Sequence, residues 1–429
     1  MPAAPPVSFF VPRFPAPSET FIQAQADGLL ARGVKLEIAA IAAGDPEPLG
    51  AFMLKWPDRL SLRIAPVPKT LGARIAVAPL GLFNTEARAA LDVGRFGDDA
   101  ASLRLPIAAA RWPKQPPVER RVWLAHYGRW GRFACGLREL GLIKGPIATV
   151  FHGKDMSAYL EKRSAGAYKH LFRRGDLFLP ISDFWREKLI RLGAPAERTM
   201  VHRMGVDTSR FIELPRTLKP GEPVRFIGVG RMVEKKGFDD ALAAFAAVRA
   251  QPNVAASLTL IGDGPLRRSL QAQAAQLSLG DAVTFTGLLP HARVEEMLRE
   301  AHVFVLASRT SKSGDMEGIP VALMEAMAQG LPVLATRHSG TPELVEHEVS
   351  GLLCDEGDRA GLADNMRAFA EAPERWAAMG AAGAAKVRKD FDLKMWNDLL
   401  LQRLTLLHNE GPLRAAAVTS APPHANTPL

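Results

Sequence analysis

The stretch Val224-Arg225-Phe226-Ile227-Gly228-Val229-Gly230-Arg231-Met232-Val233-Glu234-Lys235-Lys236-Gly237-Phe238 decides the fold. Its first six residues are a short, mostly apolar run, as a buried parallel strand requires. The glycines that follow permit tight turns and close approach of backbone to ligand. A helix is predicted over Phe238–Ala250. A strand–turn–helix unit of this kind puts Arg231 and Lys236 at the carboxyl edge of a sheet, where phosphates bind in open α/β folds. Alone the signal is weak, because glycines and basic residues after a strand are common.

The rhythm repeats on both sides. In the second half, strands are predicted at Ser257–Ile261, Ala282–Thr286, His302–Ala307, Pro332–Ala335 and Gly351–Cys354. Helices are predicted at Leu266–Leu277, Val294–Glu300, Val321–Gln329 and Pro342–His347. In the first half, strands are predicted at Val7–Val11, Val34–Ile41, Val122–His126, Ile147–His152, Leu177–Ser182 and Met200–Arg203. Helices fall at Glu19–Ala31, with Ser18 as its cap, and at Asp183–Leu192. Pro and Gly interrupt residues 42–120, where no element is assigned. Such alternation is the signature of parallel-sheet α/β domains.

The polar, proline-flanked run 213–221 is the best linker. It divides the chain into a Rossmann-like domain at 1–215 and a second at 216–383, facing across a cleft that is the default ligand site. Residues 384–410 form an amphipathic segment, expected to break near Asp390–Asp392 and to pack back toward the first domain. The Pro/Ala/Thr-rich tail 411–429 is expected to be disordered.

A chain of 429 residues is long enough for two cores. Its only cysteines, Cys135 and Cys354, lie far apart, which fits a reducing cytoplasm and offers no Cys-x-x-Cys metal site. No apolar run reaches the roughly 18 residues of a membrane span, and the start of the chain does not read as a secretory signal. Net charge is +9, unevenly shared: 31 Lys+Arg face 20 Asp+Glu through Pro215, against 23 and 25 beyond it. Arg120–Arg121, Arg129–Arg138 and Lys162–Arg174 are the densest basic runs. A basic half of this kind suits an anionic membrane surface, a diphosphate-linked substrate or nucleic acid, or is simply a solvated face.

The second informative stretch is Gly314-Asp315-Met316-Glu317-Gly318-Ile319-Pro320-Val321-Ala322-Leu323-Met324-Glu325-Ala326-Met327-Ala328-Gln329-Gly330. Pro320 suits a helix start and Gly330 its end, so Glu317 lies in the loop before the helix and Glu325 within it. Gly262-Asp263-Gly264-Pro265 and Thr286-Gly287 lie at the same sheet edge and read equally well as turns or ligand contacts. Ser339-Gly340-Thr341-Pro342-Glu343 offers N–H groups to an anion at a helix start. His152 ends a first-half strand at the cleft edge, in a position more often structural than catalytic. His126, His302 and His338 have no metal-ligand spacing, and Trp123, Trp130 and Trp185 read as core.

In order, Gly-Arg-…-Lys-Gly, Gly-Asp-Gly-Pro, Thr-Gly and Glu-Gly-Ile-Pro-…-Glu-Ala-Met-Ala-Gln-Gly-Leu-Pro-Val resemble the family 4 retaining glycosyltransferases across about residues 224–360. Pro17–Phe21, the His-Gly-x-Asp at 152–155 and Gly314–Pro320 resemble the exopolysaccharide subgroup that includes colanic acid and amylovoran transferases. The resemblance implies a GT-B fold and a nucleotide-sugar donor without a cofactor or metal. It implies that Arg231 and Lys236 hold the diphosphate, Glu325 the ribose and Glu317 the transferred sugar, with His152 across the cleft at the reacting centre. Gly230, Gly262, Gly264, Thr286, Gly287, Gly318, Ile319 and Pro320 would lie about the donor. The implied enzyme moves a hexose, UDP-linked at first choice, to a polyprenyl-diphosphate-linked oligosaccharide at the inner face of the membrane. It is cytoplasmic and peripheral, with no nucleic-acid partner.

Two departures stand out. Many relatives carry a glycine pair in the first strand–helix loop, where this chain has Pro15-Ala16-Pro17-Ser18-Glu19-Thr20, and a second glycine beside Gly340. Two glutamates would also suit a glycosidase, but hydrolysis needs no Arg231 or Lys236. The remaining alternatives are an epimerase or phosphorylase on the same fold, or a non-catalytic nucleotide-sugar-binding scaffold.

Overall fold

The computed structural model describes residues 4–16, 19–81, 83–113, 121–163, 165–251 and 254–417. The first sheet comprises β1 (Val7–Phe14), β2 (Leu36–Ala43), β3 (Leu60–Ile64), β4 (Val122–His126), β5 (Ile147–Phe151) and β6 (Leu177–Pro180). The second comprises β7 (Val224–Val229), β8 (Ala256–Ile261), β9 (Val283–Gly287), β10 (Val303–Leu306), β11 (Val333–Thr336) and β12 (Gly351–Cys354). Their orders, β3-β2-β1-β4-β5-β6 and β12-β11-β10-β7-β8-β9, are the same winding carried out twice. Adjacent strands within each sheet are parallel.

Each winding reverses beside its first strand, at β1/β4 and at β7/β10. Ligands bind at the carboxyl ends of strands at such switch points. Strands buried on both faces carry little polar alternation, which is why β4, β5, β10 and β11 are wholly buried.

Residues 42–120, unassigned from sequence, hold a helix at Pro46–Lys55, then β3 and a run of short helices ending in Arg104–Arg111. Several of these helices are only four or five residues long, too short to show a 3.6-residue period. β3 is an edge strand. Met200–Arg203, expected as a strand, is not one. Met200 N and His202 N donate to Phe178 O and Pro180 O (2.9 and 2.8 Å), but Pro180 has no N–H to return the ladder. The helix expected at 342–347 is a single turn, Thr341–Leu344. Ser18, expected as a cap, lies outside the described residues, and the helix there runs Thr20–Ala31 behind Glu19.

Met204 belongs to the first core and Val206 to the second, so the chain crosses between domains there. The linker expected at 213–221 already lies on the second domain: Leu214 N and Arg216 both bond Gln329 O. The return crossing follows the helix Trp376–Asp390, with Asp392 capping the next helix, Leu393–Asn409. Trp376 and Val387 pack in the second core, Leu400, Leu404 and Leu407 in the first. Both crossings meet where Val206 N donates to Phe391 O and Leu393 N to Val206 O (3.0 and 2.9 Å). Pro412–Ala417 is helical, and the rest of the expected disordered tail lies outside the described residues.

Candidate active site

A cleft of about 660 Å³ opens between the two switch points. On the C-terminal wall, β7 ends at Val229 and the chain turns through Gly230–Gly237 into the helix Phe238–Arg249. Gly237 has φ +61°, and a Cβ there would stand 1.8 Å from Ala307 O. Only glycine lets the loop lie against the end of β10, and that position delivers Lys235 and Lys236 to the cleft.

The loop after β10 brings Glu317 to meet them. Lys236 Nζ lies 3.2 Å from Glu317 Oε2, and Lys235 Nζ lies 3.4 Å from Oε1 and 3.3 Å from Asp315 Oδ2. Burial pushes the Glu317 carboxyl up, but Lys236 and Lys235 outweigh it, so it is held below the ordinary range. It is a buried, ionised carboxylate between two ammonium groups.

The backbone of this loop is fixed from beneath. Glu317 N donates to His338 Nε2 (3.0 Å), so Nε2 acts as the acceptor and Nδ1 faces Glu356 Oε1 at 2.6 Å as the donor. Ser339 Oγ donates to Glu317 O and Gly318 O (3.0 and 2.8 Å). Ser339, next to Gly340, accepts a left-handed φ of +44°. Its hydroxyl contacts offset that strain.

Gly318 is where the domains touch. A Cβ there would lie 2.4 Å from Ile181 Cδ1 and 2.8 Å from His152 O. Beside it, Glu343 of the second domain accepts from Asp183 N and Phe184 N (both 3.0 Å) and meets Arg203 Nη2 at 2.6 Å. The segment 339–343, expected to offer N–H groups to an anion, supplies the anion at another helix start.

On the N-terminal wall, His152 follows β5 and faces the Glu317 loop. Its Nε2 lies 3.1 Å from His126 Nδ1, and its ring centroid lies 4.7 Å from Phe21 and 4.8 Å from Tyr127. Burial, aided by His126 and His202, holds His152 well below the usual imidazole range, and burial takes His126 to about 3. Both are neutral at pH 7. Asp155 accepts from Gly128 N, His152 N and Gly153 N (2.8, 2.9 and 3.0 Å), pinning the His-Gly-Lys-Asp turn to the helix Gly128–Glu139. Tyr127, a non-glycine residue at φ +72°, donates its hydroxyl to Glu19 Oε1 (2.9 Å). Burial raises the Glu19 carboxyl against the Tyr127 bond and Lys154.

Of the residues expected at the site, His152, Gly230, Arg231, Lys236, Glu317, Gly318, Ile319 and Pro320 line this cleft. Arg231 is exposed and makes no ion pair among the described residues. The others do not line it. Gly262 N bonds Gly287 O (2.9 Å), while Ile261 O and Asp263 O receive Gly230 N and Met232 N (3.0 and 2.9 Å). Gly262, Gly264, Thr286 and Gly287 therefore sit behind the Arg231 loop as its support. Glu325 is mostly buried a turn further along, its Oε1 3.1 Å from His291 Nε2. Sequence reasoning gave no site role to Lys235, Glu19, Tyr127 or His338, and read the Ser339 segment only for its N–H groups. The available signals were the doubled lysine and the two places where glycines were expected.

Two Rossmann-like domains meeting at a cleft, with paired cations and a carboxylate in it, are the GT-B architecture. Residues 209–386 match the model of the glycosyl transferases group 1 family. The chain is 40% identical over 411 residues to a putative colanic acid biosynthesis glycosyltransferase of Escherichia coli K12, covering 94% of this chain and all of that one. It is 36% identical to an amylovoran biosynthesis glycosyltransferase of Erwinia amylovora, over 90% of this chain and 96% of that one. Anabaena HepE in complex with UDP shares the fold, with a TM-score of 0.67 at 17% identity over 93% of this chain and 99% of that one. The chain belongs to the group 1 glycosyltransferases. Among the described residues no helix is long and apolar enough to cross a membrane.

Proposed function

We propose that this enzyme is a retaining hexosyltransferase of exopolysaccharide assembly, moving a sugar from a nucleoside diphosphate to a lipid-linked oligosaccharide. The observation that carries it is the Lys235–Glu317–Lys236 cluster opposite His152. A departing diphosphate needs fixed positive charge, and a sugar needs a hydroxyl acceptor close beside it. The cluster supplies both in one buried place. The names of the relatives, colanic acid and amylovoran biosynthesis, supply the pathway class.

In the proposed reaction the bond from the anomeric carbon to the diphosphate breaks as the acceptor hydroxyl adds on the same face. The leaving phosphate oxygen takes the acceptor's proton, so no side-chain nucleophile is needed. Arg231, Lys235 and Lys236 offset the charge growing on the diphosphate, more in the transition state than before it. Glu317 orients the sugar, and neutral His152 packs against it. Glu325, released from His291, would serve the ribose. No metal or cofactor is invoked, and the basic first half rests on the anionic inner leaflet.

A panel of nucleotide sugars tests the reading, by binding and by slow hydrolysis, UDP-linked hexoses first and GDP-linked sugars second. The GDP arm is motivated by a 30% identical GDP-mannose-dependent mannosyltransferase of Mycobacterium tuberculosis, matched over 61% of this chain. With the best donor, Lys236→Ala is expected to lower transfer at least tenfold, about 1.4 kcal/mol. Unchanged kinetics would remove Lys236 from the diphosphate.

A further inference from the structure

We propose that the N-terminal wall holds a second anion site, formed by Arg104, Arg129, Arg132 and Tyr159, which takes a phosphate or diphosphate group of the acceptor. This rests on the glycosyl-transfer reading. Arg129 and Tyr159 line the cleft, on the wall opposite Lys235 and Lys236. Arg129 Nε, Arg132 Nη2 and Tyr159 Oη are each buried without a hydrogen-bond partner, although Arg132 is itself only 8% exposed. Buried polar atoms are nearly always paired, so three orphans around one spot call for a missing partner.

Charge points the same way. Asp99 is near, with Oδ2 engaged 2.9 Å from Arg132 Nε, while its Oδ1 is a further buried atom without a hydrogen-bond partner. Arg104 and Arg129 make no ion pair among the described residues, and neighbouring Arg163 is taken by Asp98. Arg104 is the first residue of the helix Arg104–Arg111, and Arg129 the second of Gly128–Glu139. Cations are disfavoured at helix starts. Burial, then the charges of Arg129 and Arg74, bring Arg104 down to about 10.

Arg132 bonds Asp99 and Ala167 O (2.9 and 3.2 Å), whereas no side-chain hydrogen bond ties Arg104 or Arg129 among the described residues. A rigid scaffold that concentrates guanidinium groups around unfilled hydrogen bonds suits a multivalent oxyanion. The donor diphosphate has its own cations across the cleft, so an anion on this wall belongs to the acceptor. The short helices ahead of β4 have no other role in the reading above.

The test is titration calorimetry with inorganic pyrophosphate and with farnesyl diphosphate, run with the donor wall saturated by the best-binding nucleoside diphosphate. Wild type should bind both, farnesyl diphosphate more tightly. The double variant Arg104→Gln/Arg129→Gln should lose at least tenfold in both affinities. Its acceptor KM should rise by a similar factor while donor hydrolysis is unchanged. Its melting temperature should equal or exceed that of wild type, because like charges have been removed. Undiminished pyrophosphate binding in the double variant would overturn the site. So would lost binding with a lowered melting temperature, unless Arg104→Lys/Arg129→Lys, which keeps the charge, restores binding. Equal affinity for the two ligands would overturn assignment to a lipid-linked acceptor. A wild type that neither binds nor hydrolyses any nucleotide sugar would instead overturn the glycosyl-transfer reading, whatever the pyrophosphate result.

Discussion

On the C-terminal wall of the cleft, Lys235 and Lys236 meet Asp315 and Glu317, and every charge in the cluster has a partner. On the N-terminal wall, His126 and His152 are kept neutral by burial, and Arg104 and Arg129 make no ion pair among the described residues, Asp99 being the nearby carboxylate. One wall balances its charge internally, so an incoming phosphate would compete with Glu317 for its lysines. The other holds an apolar, neutral patch beside uncompensated cations. A donor that brings its own diphosphate suits the first, and an acceptor whose reacting group is an uncharged hydroxyl suits the second.

The contrast breaks most sharply at Glu317. Glu317→Gln removes the anion between two lysines and should lower transfer about a hundredfold, or ~2.7 kcal/mol. Binding of the free nucleoside diphosphate should be unchanged or tighter, measured by calorimetry, because Lys236 is released. Weaker nucleotide binding would show that Glu317 acts by holding the lysines in place. His152→Ala tests the opposite wall: roughly tenfold slower transfer, about 1.4 kcal/mol, with nucleotide affinity preserved. Equal loss of both would make His152 structural.

A third prediction concerns acid. His126, His152 and His202 are neutral in the fold because burial depresses all three. Below pH ~6.5, the ordinary histidine value, the unfolded chain takes up protons that the folded chain excludes, so stability falls as pH falls. Urea unfolding at pH 7.5 and 5.5 should show this, and His126→Asn should flatten the dependence. An unchanged slope would place the acid sensitivity elsewhere. The smallest effect is expected at the contact between the walls. Glu343→Gln weakens the bonds to Asp183 N, Phe184 N and Arg203, and should cost about 1 kcal/mol of stability. Small-angle scattering should show a more open mean separation of the domains, and an unaltered profile would deny Glu343 a part in closure.

The winding was legible because parallel strands buried on both faces leave continuous apolar runs punctuated by glycine. β4, β7 and β12 fall where the sequence puts them. The region 42–120 was not legible, since most of its helices are one or two turns long and carry no period, and Pro and Gly interrupt the longer Pro46–Lys55. The C-terminal wall could be read because its groups lie in two compact stretches, 228–237 and 314–320. Glu19, Tyr127 and His152 come from three separate connections, and no local pattern ties them together. Gly340 was noticed as a single glycine where many relatives have two, but the bonds of Ser339 to the Glu317 loop belong to the fold.

By itself, the sequence determined two parallel α/β domains, the cationic loop at Arg231–Lys236, the carboxylate loop at Glu317, and the family these motifs resemble. All of these are local, written in the order and spacing of neighbouring residues. Tertiary structure alone decided that Lys235 shares Glu317 with Lys236 and that Glu325 lies outside the cleft on His291. It alone drew Arg104 from an unassigned helix to the neighbourhood of Arg129, which lines the cleft. Burial and charge balance are sums over everything nearby in space, and a chain that folds twice into the same winding fixes those neighbours only when its two halves meet.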